Sequence, residues 1–242
     1  MVWRIKVRVF LIIISILQLL MIILNGIYVL RKMNKIGKED GELNLIIKMC
    51  FSFSMIVVAF LLWRNNFEIL RNYSLLILLG MFFSAIGDMI MASIIKLKNR
   101  LIGGMAFFSL AHIFYILAYL KAIAAYKESL NYLVFILIGM YIFCIILWRV
   151  FVFNSTKSLT LNIVALVYAL VICTMASLAI NISLTVSGAW WMTTIGALLF
   201  ILSDFLIGLS EIKEKGPKNQ SVWVWLTYVP AQMCIIYTLA LL

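Results

Sequence analysis

Eight times the sequence runs for about 20 residues with scarcely a charge, enough for a helix rising about 1.5 Å per residue to cross about 30 Å of hydrocarbon. The runs fall at 9–30, 45–63, 74–95, 102–125, 131–153, 160–182, 189–211 and 222–242. A backbone in lipid must satisfy its own hydrogen bonds, which leaves helices and closed barrels. These runs lack the period-two alternation of barrel strands, so the predicted fold is all-α. The expectation is a polytopic membrane protein with eight transmembrane helices, residues 1–242 forming a single integral membrane domain. With 66% hydrophobic and 12% charged residues, the chain carries more apolar surface than a water-soluble core could bury.

The opening MVWRIKVRVF imitates a signal peptide, but the apolar run continues to Leu30 without a small-residue cleavage site, so it reads as the first span. An even number of spans puts both termini on one face. That face and its loops hold seven bases, Arg4, Lys6, Arg8, Arg64, Arg71, Lys121 and Lys127, against thirteen on the other. The richer face is expected in the cytoplasm, although the basic amino terminus argues the other way. A net charge of +11 therefore serves topology and anionic headgroups, not nucleic acid. The expected location is a bacterial inner membrane or an endoplasmic reticulum, between which nothing in the residues chooses. Cys50, Cys144, Cys173 and Cys234 stand singly in separate runs and suggest neither disulfides nor a thiolate metal site. Trp190 and Trp191, beside a turn without bases, read as part of an interfacial aromatic belt.

Two runs carry an acid where lipid makes acids costly: GMFFSAIGDMIMA holds Asp88 and GALLFILSDFLIG holds Asp204. Sliding the chain by 116 residues sets Gly80 on Gly196, Asp88 on Asp204, Ser109 on Trp225 and His112 on Tyr228. The third and fourth spans thus look like copies of the seventh and eighth, a 4+4 parallel internal repeat about an axis along the membrane normal. Both acids precede a loop lysine by eight or nine residues, which places them about 12 Å below the same basic face. Ser84 lies one turn before Asp88, Trp225, Tyr228 and Gln232 share a helix face, and Ser109, His112 and Tyr119 form a stripe on the fourth span. Such polar faces mark helices turned toward a shared cavity.

Two carboxyl groups in one desolvated site can hold a single proton between them, giving one acid and one base, as in glycosidases. Asp88 and Asp204 are the candidate catalytic pair. His112 is the single histidine, which excludes a multi-histidine zinc centre, and no metal or cofactor is expected. A serine triad built on Ser84 or Ser203 lacks the Gly-x-Ser-x-Gly elbow. Ser84, His112, Tyr115, Tyr228 and Gln232 are candidate substrate contacts. For His112, Tyr228 and Gln232 the alternative of hydrogen-bonded packing between helices stands equally open. A proton-coupled transporter of lipid or small molecules using the paired aspartates is the competing function.

From about Lys48 onward the chain resembles the YhhN family, the lysoplasmalogenases. The resemblance lies in Gly87-Asp88, GGMAFFSLAHIFY with His112 and Tyr115, VYALVICTM with Tyr168 and Met175, GALLFILSD ending at Asp204, and YVPAQ from Tyr228 to Gln232. One departure is Lys48-Met49, where the family has Lys-Pro; the lysine is present and could meet a phosphate or a carboxylate, or snorkel to the interface. The resemblance implies an eight-span protein that hydrolyses the vinyl ether of a lysophospholipid, the lysoplasmalogen, to a fatty aldehyde and a glycerophospho-choline or -ethanolamine.

Overall fold

The computed structural model describes residues 2–36, 44–65 and 70–242; Lys38, one of the thirteen bases of the richer face, lies outside them. Eight helices follow in order: α1 Val2–Ile36, α2 Leu45–Asn65, α3 Arg71–Met91, α4 Arg100–Ala125, α5 Leu133–Leu147, α6 Leu159–Val186, α7 Trp190–Glu211 and α8 Gln220–Leu241. A π-helical segment, Trp148–Val152, prolongs α5. All eight are long and apolar enough to span a membrane, and among the described residues there is no strand. The chain is an all-α, multi-pass membrane protein.

Local chemistry sets several helix starts. Asn99 accepts the Leu101 and Ile102 N–H groups at 3.1 Å and caps α4, while Ser158 accepts Leu161 N–H at 3.2 Å and caps α6. The third helix ends four residues earlier than its apolar run. Ile94 N–H reaches back to Met89 O and Ser93 N–H to Ile90 O, both at 2.9 Å, with Ser93 at φ 59. This pair of bonds is a Schellman closure, which ends a helix whatever the hydropathy of the residues that follow. Asp88 is therefore about 4.5 Å of helix from the end of α3, nearer than the 12 Å expected, whereas Asp204 is about 10 Å from the end of α7.

Trp190 also departs from expectation. It is fully buried, edge-on to Tyr73 at 5.2 Å and to Tyr126 at 5.9 Å, so it belongs to the core and Trp191 alone faces outward. A loop-edge position told nothing of its neighbours on other helices.

Helix pairing repeats with a period of four. The contacts α1–α2, α2–α3 and α3–α4 are matched by α5–α6, α6–α7 and α7–α8, and the crossing α2–α8 is matched by α4–α6. Detailed contacts follow the same shift of 116 residues. A Cβ on Gly80 would stand 2.3 Å from the Tyr115 ring on α4, and one on Gly196 would stand 2.8 Å from the carbonyl oxygen of Ala231, the counterpart of Tyr115, on α8. Small residues thus bring both helix pairs close, as packing without a hydrophobic drive between helices requires.

Candidate functional site

Both aspartates line one cavity of about 330 Å³ near the ends of α3 and α7. Ser52 and Lys48 enter it from α2, and Tyr228 and Trp225 from α8. With helix starts at residues 45, 159 and 220, Ser52, Tyr168 and Tyr228 sit about 10–14 Å along their helices, a common depth.

Asp88 is held from two sides. Ser52 Oγ donates to its Oδ2 at 2.6 Å and Tyr228 OH donates to the same oxygen at 2.9 Å. A further layer fixes the direction of the tyrosine proton. Gln232 Nε2 donates to Ser84 Oγ at 2.6 Å and to Tyr228 OH at 3.1 Å, and Ser84 Oγ lies 3.0 Å from Tyr228 OH. With Gln232, and Ser84 in turn, donating to the Tyr228 oxygen, the one proton of Tyr228 is left for Asp88. Tyr115 OH donates to Gln232 Oε1 at 3.4 Å and holds the amide this way round.

Asp204 has a different partner. Tyr168 OH donates to its Oδ2, and His112 Nε2 lies 3.3 Å from the same hydroxyl. Because the Tyr168 proton is committed to the acid, His112 must donate through Nε2, leaving its buried Nδ1 without a partner among the described residues. Phe200 packs edge-on to both His112 at 4.6 Å and Tyr228 at 5.3 Å and so touches both clusters.

The clusters obey the repeat. Ser52 shifted by 116 becomes Tyr168, and each donates to the aspartate 36 residues further on. Tyr228 corresponds to His112, and each reaches the opposite half of the bundle from the helix that follows its half's aspartate.

At the mouth, Arg100 Nη2 bonds Glu211 at 2.8 and 3.0 Å and Nη1 donates to Met91 O at 3.2 Å, which ties together the ends of α3, α4 and α7. Both charged groups line the cavity, as does Lys48, so the polar mouth offers charges of both signs.

Of the residues singled out in the sequence, Asp88, Asp204, Lys48 and Tyr228 meet in this cavity. Ser84, His112, Tyr115 and Gln232 do not reach it: they are buried one layer further in, where they bond to other side chains. Among them the reading as packing between helices describes the contacts better than the reading as substrate contacts, because depth along a helix does not say which neighbour fills the space. Ser52, Arg100 and Glu211 carry no mark of a site in the sequence, and Tyr168 enters it only through the family resemblance. The repeat carried the missing signal: the offset that pairs the aspartates also pairs Ser52 with Tyr168.

No curated protein and no solved structure matches this chain. The sequence pattern of the YhhN family matches residues 43–239, from the start of α2 almost to the end of α8 and across every residue of the cavity, and the chain belongs to the YhhN family.

Proposed function

We propose that the protein is an intramembrane hydrolase that cleaves the vinyl ether of a lysoplasmalogen to a fatty aldehyde and glycerophosphocholine or glycerophosphoethanolamine. The observation that carries this reading is the shared cavity, where two carboxyls face one space and neighbouring hydroxyls direct their protons to them. A vinyl ether needs a proton on carbon and then a water activated by a base, and no nucleophilic serine.

The unequal surroundings divide the roles. Asp88 accepts two hydrogen bonds on one oxygen, the setting of a carboxylate, and it is the base. Asp204 accepts one and is the acid. Asp204 gives its proton to the alkenyl carbon one bond beyond the ether carbon, and an oxocarbenium ion forms. Asp88 takes a proton from water as the water oxygen bonds to the ether carbon, giving a hemiacetal. The hemiacetal O–H proton passes to Asp204 and the Asp88 proton to the glycerol oxygen. The carbon–oxygen bond breaks, and both aspartates return to their starting states. The mixed charges of Lys48, Arg100 and Glu211 suit a zwitterionic phospho-amine headgroup at the mouth.

Purified protein incubated with a 1-alkenyl lysophospholipid should release aldehyde, and Asp88→Asn or Asp204→Asn should abolish release while the protein remains folded. Full activity in both variants would reject these roles. The repeated four-helix arrangement also suits a proton-coupled lipid or solute carrier. Flux driven by a pH gradient in proteoliposomes, without product, would favour that reading.

A further inference from the structure

A second chamber of about 100 Å³ adjoins the polar cavity and shares Met91, Phe108, Asp204 and Ile207 with it. Apart from Asp204 and the Tyr168 hydroxyl its walls are apolar, with Phe143 and Cys144 from α5 and Ile172 and Cys173 from α6 one turn or more deeper in the membrane than Tyr168 and Trp148. Among the described residues Asp204 is the one carboxyl that borders both spaces.

The chamber reaches the outer face of the bundle. Phe143 lines it yet is 54% exposed, on a helix whose outer face also exposes Phe135, Ile138, Ile142 and Ile146. Helix α5 packs on α6, and its π-helical end is the part that packs on α7. There Val152 meets Gly208, where a Cβ would stand 3.2 Å from Val152 Cγ1, and Phe151 sits edge-on to Phe205 at 6.0 Å. This clamp closes the α5–α7 wall toward the basic face, and the wall beside Phe143 lies deeper, at the level of the acyl chains. π-Helical segments of this kind recur at functional sites.

We propose that the apolar chamber receives the single unbranched alkyl chain of a membrane amphiphile, which enters sideways from the bilayer between α5 and α7 and stops with its first carbons at Asp204. The inference rests on the hydrolase reading for its reaction but not for its binding. A polar space holding charges of both signs and an apolar space continuous with bilayer, joined at one acid, match an amphiphile with one chain and one head. A headgroup alone would leave the apolar chamber unused, and a hydrocarbon alone would leave the charged mouth unused.

The test uses a 1-alkyl lysophosphatidylcholine bearing a mid-chain diazirine, with protein reconstituted in phosphatidylcholine vesicles. Photolabelling should fall on residues 133–152 and 159–186, should be competed by excess unlabelled 1-alkyl lysolipid, and should drop at least fivefold in Cys144→Trp. Ala169→Leu, a smaller plug in the same wall, covers the case in which the tryptophan variant does not fold. Labelling spread over the outer faces of all helices, or unaffected by competitor and by both plugs, would overturn the proposal. In the aldehyde assay, the plugs should lower kcat/KM at least tenfold for a 16-carbon 1-alkenyl lysolipid and leave a four-carbon analogue within twofold. An equal fall on both substrates, with the melting temperature unchanged, would also overturn it. Wild-type protein that labels as expected yet releases no aldehyde would refute the hydrolase reading and leave the chamber standing.

Discussion

Replacing Tyr168 by Phe and Ser52 by Ala removes the equivalent hydroxyl from each half of the repeat, and the two changes should affect catalysis differently. Tyr168 donates to Asp204, the proposed acid. Before proton transfer that bond joins neutral groups and is worth about 0.5–1.5 kcal/mol, and as the carboxylate develops it rises to about 1.5–3 kcal/mol. The difference, about 1–2 kcal/mol, is felt in the transition state, so Tyr168→Phe should lower kcat roughly 5- to 30-fold. Ser52 donates to Asp88, the proposed base, which loses charge as it takes a proton from water. Losing that donor costs the charged starting state more than the transition state, and Tyr228 still holds the same oxygen at 2.9 Å. Ser52→Ala should therefore leave kcat within about threefold, in either direction. The assay is aldehyde release under saturating substrate, with thermal unfolding in detergent as the check on folding. A large loss in Ser52→Ala beside a small one in Tyr168→Phe would reverse the acid and the base, and equal losses in both would refute the division of labour.

Gln232→Leu removes the donors that turn the Tyr228 proton toward Asp88, and because Gln232 lies outside the cavity wall, kcat should fall by about threefold to tenfold with KM unchanged. A rise in KM alone would make Gln232 a substrate contact after all. Arg100→Gln breaks an ion pair that is part-exposed on both sides, so the stability change should stay below about 1 kcal/mol, while KM for a phospholipid should rise by an order of magnitude; unchanged KM would remove Arg100 from headgroup binding. Gly196→Val pushes against the Ala231 carbonyl and should cost about 1–3 kcal/mol, read as a loss of several degrees in melting temperature, whereas Gly139→Ala, with nothing within 4 Å, should cost nothing. Equal effects at the two glycines would contradict the close α7–α8 contact.

The helices were legible because lipid imposes a length and a composition on each one, and the family was legible from a few short motifs in order. The acids stood out because a carboxyl in an apolar run is rare enough to need a reason. What hydropathy could not carry was lateral neighbourhood. The Schellman turn at Ser93 depends on two backbone bonds, so the apolar run through Ile95 overstated α3. Burial of Trp190 depends on Tyr73 and Tyr126, which lie far earlier in the chain on or beside other helices. Likewise, His112 and Gln232 lie at the right depth for the site but one layer behind it, which only the packing of Phe200 and Ser84 decides. The apolar chamber had no sequence signature, since its lining residues look like any others in a membrane helix.

A four-helix pairing pattern used twice accounts for two acids in one cavity, because an offset of four helices sets equivalent residues of the two halves on helices that run the same way. Equivalence alone would be useless for acid–base chemistry, which needs one carboxyl to give a proton while the other takes one. The difference lies at the paired positions. Where the first half has the short Ser52, Met49 and Lys48, the second has the long Tyr168, the small Ala165 and Val164. A serine at the first place keeps the space before Asp88 open to the polar mouth and to the lysine. A tyrosine at the second spans the same gap with its ring, which becomes a wall of the apolar chamber, while Ala165 keeps that chamber open beside Asp204. The same substitutions that leave Asp88 doubly held thus give Asp204 an apolar neighbour, so the proposed acid–base asymmetry and the proposed chain recognition share one set of changes.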